Sequence, residues 1–146
     1  MNFTGSKTEQ NLIKSYLGEL TGELLYEIFA EQAQKESYFD IANSFKQLAI
    51  EERNHSDLFK RFLKQDIEFK QTKDELQLLC KDTLSNLKFS SIGEYKAYEE
   101  IYPNYSKIAE EEGFYEISKT YLALKNIELR HSQLLEKLIL SIENKI

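Results

Sequence analysis

The chain has no tryptophan, one cysteine, one proline, one methionine and only five glycines in 146 residues. A lone Cys80 forms no intrachain disulfide, and without a Cys-x-x-Cys pair these residues hold no rubredoxin-type iron site, zinc knuckle or redox dithiol. The scarcity of proline and glycine leaves few breaks and favours long helices. No apolar run approaches a membrane span, and the N-terminus lacks the apolar core of a signal peptide. There is no basic tract, and the net charge is −6, from 19 basic and 25 acidic residues. Nucleic acid and anionic membranes are therefore not expected as partners. Alternating strand patterns and glycine-rich phosphate loops are missing too. These absences predict a soluble, cytoplasmic, all-α protein with a single domain over residues 1–146.

What is present is helical periodicity. Ile41, Phe45, Leu48, Glu52, His55, Phe59 and Phe62 form an apolar stripe at helical spacing, with a glutamate and a histidine at its centre. The pattern recurs in Ile117, Tyr121, Leu124, Glu128, His131, Leu135, Leu138 and Ile142. Both histidines of the chain thus follow a glutamate by three residues on a core-facing stripe. A buried carboxylate without a partner costs several kcal/mol, so something must satisfy these.

Four long helices are expected. The first starts near Thr8, read as its N-cap, with Leu12, Tyr16, Glu19, Glu23, Tyr26 and Ala30 along one line. The second runs from about Tyr38 to Leu63, the third from about Thr83 to Glu112, and the fourth from after Gly113 to about Glu143. Pro103 should kink the third. The polar stretch 64–74 breaks the periodicity, and a short helical piece is expected at 76–82. The result is an up-down four-helix bundle: hairpin 1 at about 8–63, a long crossover at about 64–82, and hairpin 2 at about 83–143.

A repeat supports the two-hairpin reading. Gln34 to Ile41 (QKESYFDI) resembles Glu110 to Ile117 (EEEGFYEI) at an offset of 76 residues, and the same offset carries Glu52 to Glu128 and His55 to His131. Residues equidistant from a hairpin turn lie at one level. Glu19 then faces Glu52 across the turn near Ser37, and Glu94 faces Glu128 across the turn near Gly113. Both glutamates follow a glycine, in Gly18-Glu19 and Gly93-Glu94. Their spacings to Glu52 and Glu128 are 33 and 34 residues, so one extra residue is expected as a π-bulge in the third helix.

Glu19, Glu52, His55, Glu94, Glu128 and His131 are thereby placed at one level in the bundle centre. Three residues on a helix is about 300°, so each Glu-x-x-His pair points one way. Four carboxylates and two imidazoles call for two divalent cations, in the ligand set of dinuclear carboxylate bundles. Iron or manganese suits such mixed donors, and zinc can occupy them. The alternative is solvated glutamates and two satisfied core histidines.

The sequence resembles the ferritin-like domain of the rubrerythrin family over nearly its whole length. The resemblance lies in Gly5-Ser6-Lys7-Thr8-Glu9, Gly18-Glu19, Glu51-Glu52-Arg53-Asn54-His55, Tyr102-Pro103 and Glu110-Glu111-Glu112-Gly113-Phe114. It implies a di-iron peroxidase that reduces hydrogen peroxide to water. By position, Glu52 and Glu128 resemble the metal-bridging carboxylates, Glu19 and Glu94 the terminal ones, and His55 and His131 one imidazole per metal. Tyr26 and Tyr102 match tyrosines that hydrogen-bond the ligand carboxylates; ordinary aromatic core is the other reading of both. The resemblance also implies a homodimer, with exchange of helices between subunits through the 64–82 connection left open.

Two departures stand out. The family's rubredoxin domain has no counterpart here, so electrons are expected from a separate rubredoxin-like donor. The family's further glutamate on the third helix, which exchanges with a histidine between redox states, is matched by Ala97. Glu23, four residues after Glu19, is a candidate for that place as ligand or proton relay, against a reading as a bundle-edge glutamate. Glu99 and Glu100 read as helix surface. A di-iron oxidase or ferroxidase acting on dioxygen, with a bacterioferritin-like six-ligand site, is the second functional reading. A non-catalytic metal-binding bundle is the third.

Overall fold

The computed structural model describes residues 2–144, and the helices in it are α1 (Lys7–Lys35), α2 (Phe39–Phe62), α3 (Lys73–Gln77), α4 (Thr83–Lys96), α5 (Tyr102–Glu111) and α6 (Tyr115–Glu143). A π-helical turn, Ala97–Ile101, joins α4 to α5, so these three pieces form one long interrupted third helix. No strand occurs among the described residues. Helix α1 packs along α2 and the interrupted helix along α6; α1 meets α4 and α5, and α2 meets α6, to close the bundle.

The two hairpins are built alike down to their turns. Tyr38 N–H donates to Ala33 O at 2.9 Å after Ser37, and Phe114 N–H donates to Ala109 O at 2.8 Å after Gly113. Such a bond spanning five residues closes a helix only through a residue with left-handed backbone. Gly113 has φ 87° and Ser37 has φ 67°, the one non-glycine residue with positive φ among those described. Each turn also ties down the other hairpin. The Glu36 carboxylate accepts from Thr83 N–H and Oγ1 at the start of α4. The Glu112 carboxylate accepts from Thr8 N–H and Oγ1 at the start of α1.

That contact corrects the expected start of α1. Thr8 is not the N-cap; Ser6 is, its Oγ accepting from Glu9 N–H while the Glu9 carboxylate accepts from Gly5 N–H. Thr8 is taken up by Glu112 instead, so a residue with capping chemistry serves the packing of two hairpins. The short helix of the crossover lies earlier than expected, at Lys73–Gln77 rather than 76–82. Thr72 caps it by accepting from Glu75 N–H, and Leu76 anchors it in the core. Pro103 falls immediately after the π-turn, in the first turn of α5. There the ladder is already shifted, Tyr102 N–H bonding to Ala97 O five residues back, which relieves the clash of a proline ring in a regular helix.

Two apolar clusters fill the bundle, one around Phe29, Phe45, Leu48, Leu87 and Leu135, the other around Leu12, Phe59, Tyr102, Tyr121 and Leu124. Between them lies a polar layer. On α2 and α6 the buried stripe is apolar on either side of that layer, with Leu48 and Phe59 flanking Glu52 and His55 and with Leu124 and Leu135 flanking Glu128 and His131.

Candidate metal centre

The layer between the two apolar clusters contains Glu19 from α1, Glu52 and His55 from α2, Glu94 from α4, and Glu128 and His131 from α6. All six are buried, none more than 6% exposed. Their ligand atoms gather into two groups, each within 4.8 Å: Glu19, His55 and Glu128 in one, and Glu52, Glu94, Glu128 and His131 in the other. Glu128 belongs to both groups. Glu52, which the resemblance implies as a second shared carboxylate, is in the second group, beside Glu94, Glu128 and His131. The two imidazoles run nearly parallel, with ring centroids 6.0 Å apart and planes at 15°.

The buried atoms in this layer are unsatisfied in a directed way. Tyr26 Oη donates to Glu94 Oε1, and Tyr102 Oη donates to Glu19 Oε1. The opposite oxygens, Glu94 Oε2 and Glu19 Oε2, have no hydrogen-bond partner. Neither do Glu128 Oε1, His55 Nδ1 and His131 Nδ1. His55 Nδ1 stands 3.2 Å from Glu128 Oε1, and His131 Nδ1 stands 3.5 Å from Glu94 Oε2, but without hydrogen-bond geometry. Five unpartnered buried atoms facing one another would be costly unless a cation completes them. The donor set of carboxylate oxygens and imidazole nitrogens fits divalent metal ions.

Each tyrosine reaches across to the other hairpin, and the π-turn is what makes both bonds meet. Seven residues separate Glu19 from Tyr26, but eight separate Glu94 from Tyr102. The Ala97–Ile101 turn absorbs the additional residue between them, so Tyr102 points at Glu19 as Tyr26 points at Glu94. Burial, then the facing carboxylates, pushes both phenols well above their usual range, so they remain donors.

Electrostatics of the layer favours protons where no cation sits. Burial first, and then Glu94, drives the Glu128 carboxyl well up. Burial also raises Glu19, although the neighbouring His55 ring opposes it. For Glu94 burial pushes up, but the neighbouring Glu128 carboxyl and His131 ring, with the Tyr26 hydrogen bond, outweigh it and hold the group low. His131 is raised: burial lowers it, and Glu94 and Glu51 together more than compensate.

Glu51 is a residue that the sequence pattern did not single out. Its Oε1 lies 3.4 Å from His131 Nε2, on the side of the ring away from the other ligands, an approach without hydrogen-bond geometry. It sits off the apolar stripe of α2, and its counterpart in the repeat is Ile127, so no periodic signal marks it. Glu23, the candidate for the place matched by Ala97, is seated elsewhere. It faces Arg53, Oε2 to Nε 3.6 Å, and belongs to neither ligand group. Burial raises its pKa although the Arg53 charge opposes it. Glu99 and Glu100 are exposed on the π-turn.

A cavity of about 330 Å³ reaches the layer from the side of α1 and the interrupted helix. Its floor is made of Glu19, Glu52, Glu94 and Glu128, and Ala97 is part of its wall. Gly22 in α1 gives the Glu52 carboxylate room. A Cβ there would stand 3.3 Å from the Glu52 carboxyl carbon.

The family model for rubrerythrin matches residues 10–139, nearly the whole chain. The chain belongs to the rubrerythrin family. It is 35% identical to the rubrerythrin of Clostridium perfringens over 142 residues, covering 95% of this chain and 73% of that protein. It is 32% identical to the rubrerythrin of Nitratidesulfovibrio vulgaris over 136 residues, covering 88% of this chain and 67% of the relative. In fold it is similar to nigerythrin, with TM-score 0.82 at 22% identity over 97% of this chain and 72% of that one. It is equally similar to the symerythrin of Cyanophora paradoxa, TM-score 0.82 at 20% identity, covering 96% of this chain and 87% of that one. The fold is therefore the ferritin-like all-α bundle, and the protein is of the di-iron rubrerythrin type, with a buried carboxylate and histidine cluster able to bind metal. Among the described residues no helix is long and apolar enough to cross a membrane.

Proposed function

We propose that this chain is a non-haem di-iron peroxidase, reducing hydrogen peroxide to water with electrons from a separate rubredoxin-like donor. The observation that carries the reading is the set of five buried, unpartnered donor atoms on Glu19, His55, Glu94, Glu128 and His131, facing one another in a family whose members bind two irons. Glu19, His55 and Glu128 would hold one ion, and Glu52, Glu94, Glu128 and His131 the other. Zinc is disfavoured because peroxide reduction needs a redox metal, and iron is favoured over manganese because the family is a di-iron one and the similar nigerythrin has been solved in an all-ferrous state. Bound ferrous ions would supply the two electrons that cleave the peroxide O–O bond.

The chain's own groups prepare that chemistry. Tyr26 and Tyr102 each fix one oxygen of a terminal carboxylate and so aim the other inward. Their phenolic protons stay in place because deprotonation beside Glu94 and Glu19 is strongly disfavoured. The cavity gives a small oxidant a route to the carboxylate floor. The absence of side-chain donors at Ala97 leaves six candidate ligands, and this favours a second reading as a di-iron oxidase or ferroxidase acting on dioxygen.

Stopped-flow oxidation of the reduced, iron-loaded protein separates the two. Rapid oxidation by hydrogen peroxide with slow reaction toward dioxygen is the expected result. The opposite order would transfer the assignment to the oxidase, and no metal-dependent reaction with either would leave a non-catalytic metal protein.

A further inference from the structure

The cavity that reaches the carboxylate layer is much larger than hydrogen peroxide requires. Two oxygen atoms occupy no more than the share of about two waters, roughly 60 Å³. The cavity holds about 330 Å³, including the room that two metal ions would take at its carboxylate floor, and is within the size range of small-molecule sites. It also has two ends of different chemistry. The floor is carboxylate and phenol, whereas Leu25, Phe29, Phe89 and Ile101 make an apolar wall. Phe89 and Gly93 are exposed, so this wall begins at the surface between α1 and α4.

Three residues keep it open. Gly18 and Gly93 lie inside helices with ordinary helical backbone, where glycine is among the least favourable residues. Neither is required by crowding, since a Cβ at either would meet nothing within 4 Å. Both nevertheless line the cavity, one on each side, beside Glu19 and Glu94. Ala97 adds a third small side chain on the π-turn. Helix-disfavoured residues at open positions are explained if what they preserve is the open space itself.

We propose that this cavity binds the hydrocarbon part of an organic hydroperoxide, making such compounds substrates of the site alongside hydrogen peroxide. The inference rests on the peroxidase reading above and deepens it to a substrate class. The hydroperoxide group lies at the carboxylate floor and its alkyl or aryl portion against Leu25, Phe29, Phe89 and Ile101. The O–O bond breaks, two electrons and two protons are taken up, and one alcohol and one water leave. The electrons come from the ferrous pair, which the one-electron donor protein restores.

Cumene hydroperoxide and hydrogen peroxide are the probes, each mixed with the reduced iron-loaded protein in stopped flow. Cumene hydroperoxide is expected to oxidise the wild type within about tenfold of the hydrogen peroxide rate. Gly93→Leu, which places a side chain in the open mouth, and Ala97→Leu, which fills the facing wall, are each expected to lower the cumene-to-hydrogen-peroxide rate ratio by about tenfold or more. A second readout uses zinc-loaded protein, where binding of the unreactive alcohol 2-phenyl-2-propanol is followed by NMR; it should perturb the Leu25 and Ala97 methyl signals in the wild type and not the Leu25 signal in Gly93→Leu. Rapid oxidation by hydrogen peroxide with a cumene hydroperoxide rate at least about a hundredfold lower, or a ratio unchanged in both variants, overturns the proposal and leaves the peroxidase reading standing. Oxidation by neither peroxide ends both.

Discussion

Individual residues in the metal layer differ in what they touch, and this sets what each should do when changed. Glu51 is the informative one, because it approaches His131 from behind the ring rather than joining the ligand groups. A carboxylate on the outer nitrogen of a metal-binding imidazole fixes the ring and raises its basicity. Glu51→Ala should therefore weaken binding of one of the two metals by about tenfold, whereas Glu51→Gln, which keeps an acceptor, should lose much less. Titration of the metal-free protein with ferrous ion or zinc measures this, and a pair of unchanged affinities in Glu51→Ala would remove the role. His55 has no such carboxylate behind it among the ion pairs found, so the two metal positions are expected to differ in affinity. At this scale Glu52, His55, Glu128 and His131 were legible in the sequence because charged and polar residues on apolar stripes contradict the period, and Glu19 and Glu94 because they lie at matching distances across the hairpin turns. Glu51 was not, since a half-exposed glutamate on a helix flank contradicts nothing.

At the scale of elements, the two hairpins are near-copies, and their differences are the useful part. The turns at Ser37 and Gly113 adopt the same left-handed conformation with different residues. A side chain in that region costs roughly 1–2 kcal/mol relative to glycine. Ser37→Gly is expected to raise stability by about 1 kcal/mol, and Gly113→Ser to lower it by a similar amount. Denaturant unfolding of the two variants checks this, and opposite signs would mean that Ser37 is held by contacts that offset its strain. The other difference is the π-turn, which the unequal Glu-to-Glu spacings led us to expect. Its position was decided by contacts: only a shift between Glu94 and Tyr102 lets Tyr102 meet Glu19. The N-cap of α1 and the short crossover helix went the same way. Thr8 and the residues from 76 onward had suitable local chemistry, but Glu112 claimed the first and Thr72 started the second earlier.

For the whole molecule, the buried charge in the core makes stability depend on protons and on metal in opposite directions. Glu19 and Glu128 have pKa values raised from an ordinary 4.5, and His131 from 6.5. A group with a raised folded-state pKa contributes stability that is full below its unfolded value and is lost as pH rises through the folded one. Glu94, held low, acts in the other sense but completes its contribution near its ordinary 4.5. Asp82 and Glu112, held low by hydrogen bonds at helix starts, also act only in acid. The metal-free protein should therefore melt at a lower temperature at about pH 7.5 than at about pH 5.5. Metal ions compete with those protons, so loading should raise the melting temperature most at the higher pH. Circular dichroism melts with and without zinc test both statements. A metal-free melting temperature that climbs with pH would show that the layer places no burden on the fold.

Sequence alone determined the helical class, the duplication and the six residues of the polar layer, because these rest on the period that core burial imposes along a helix and on spacings that a hairpin and its repeat impose along the chain. The three-dimensional arrangement decided which oxygens remain unpartnered, that Glu128 is shared between the two groups while Glu23 is drawn to Arg53, and that Glu51 stands behind His131. It also decided that Gly18, Gly93 and Ala97 line one cavity. Those features depend on distances between helices far apart in sequence, and on the room left between them, neither of which any periodicity along one helix encodes.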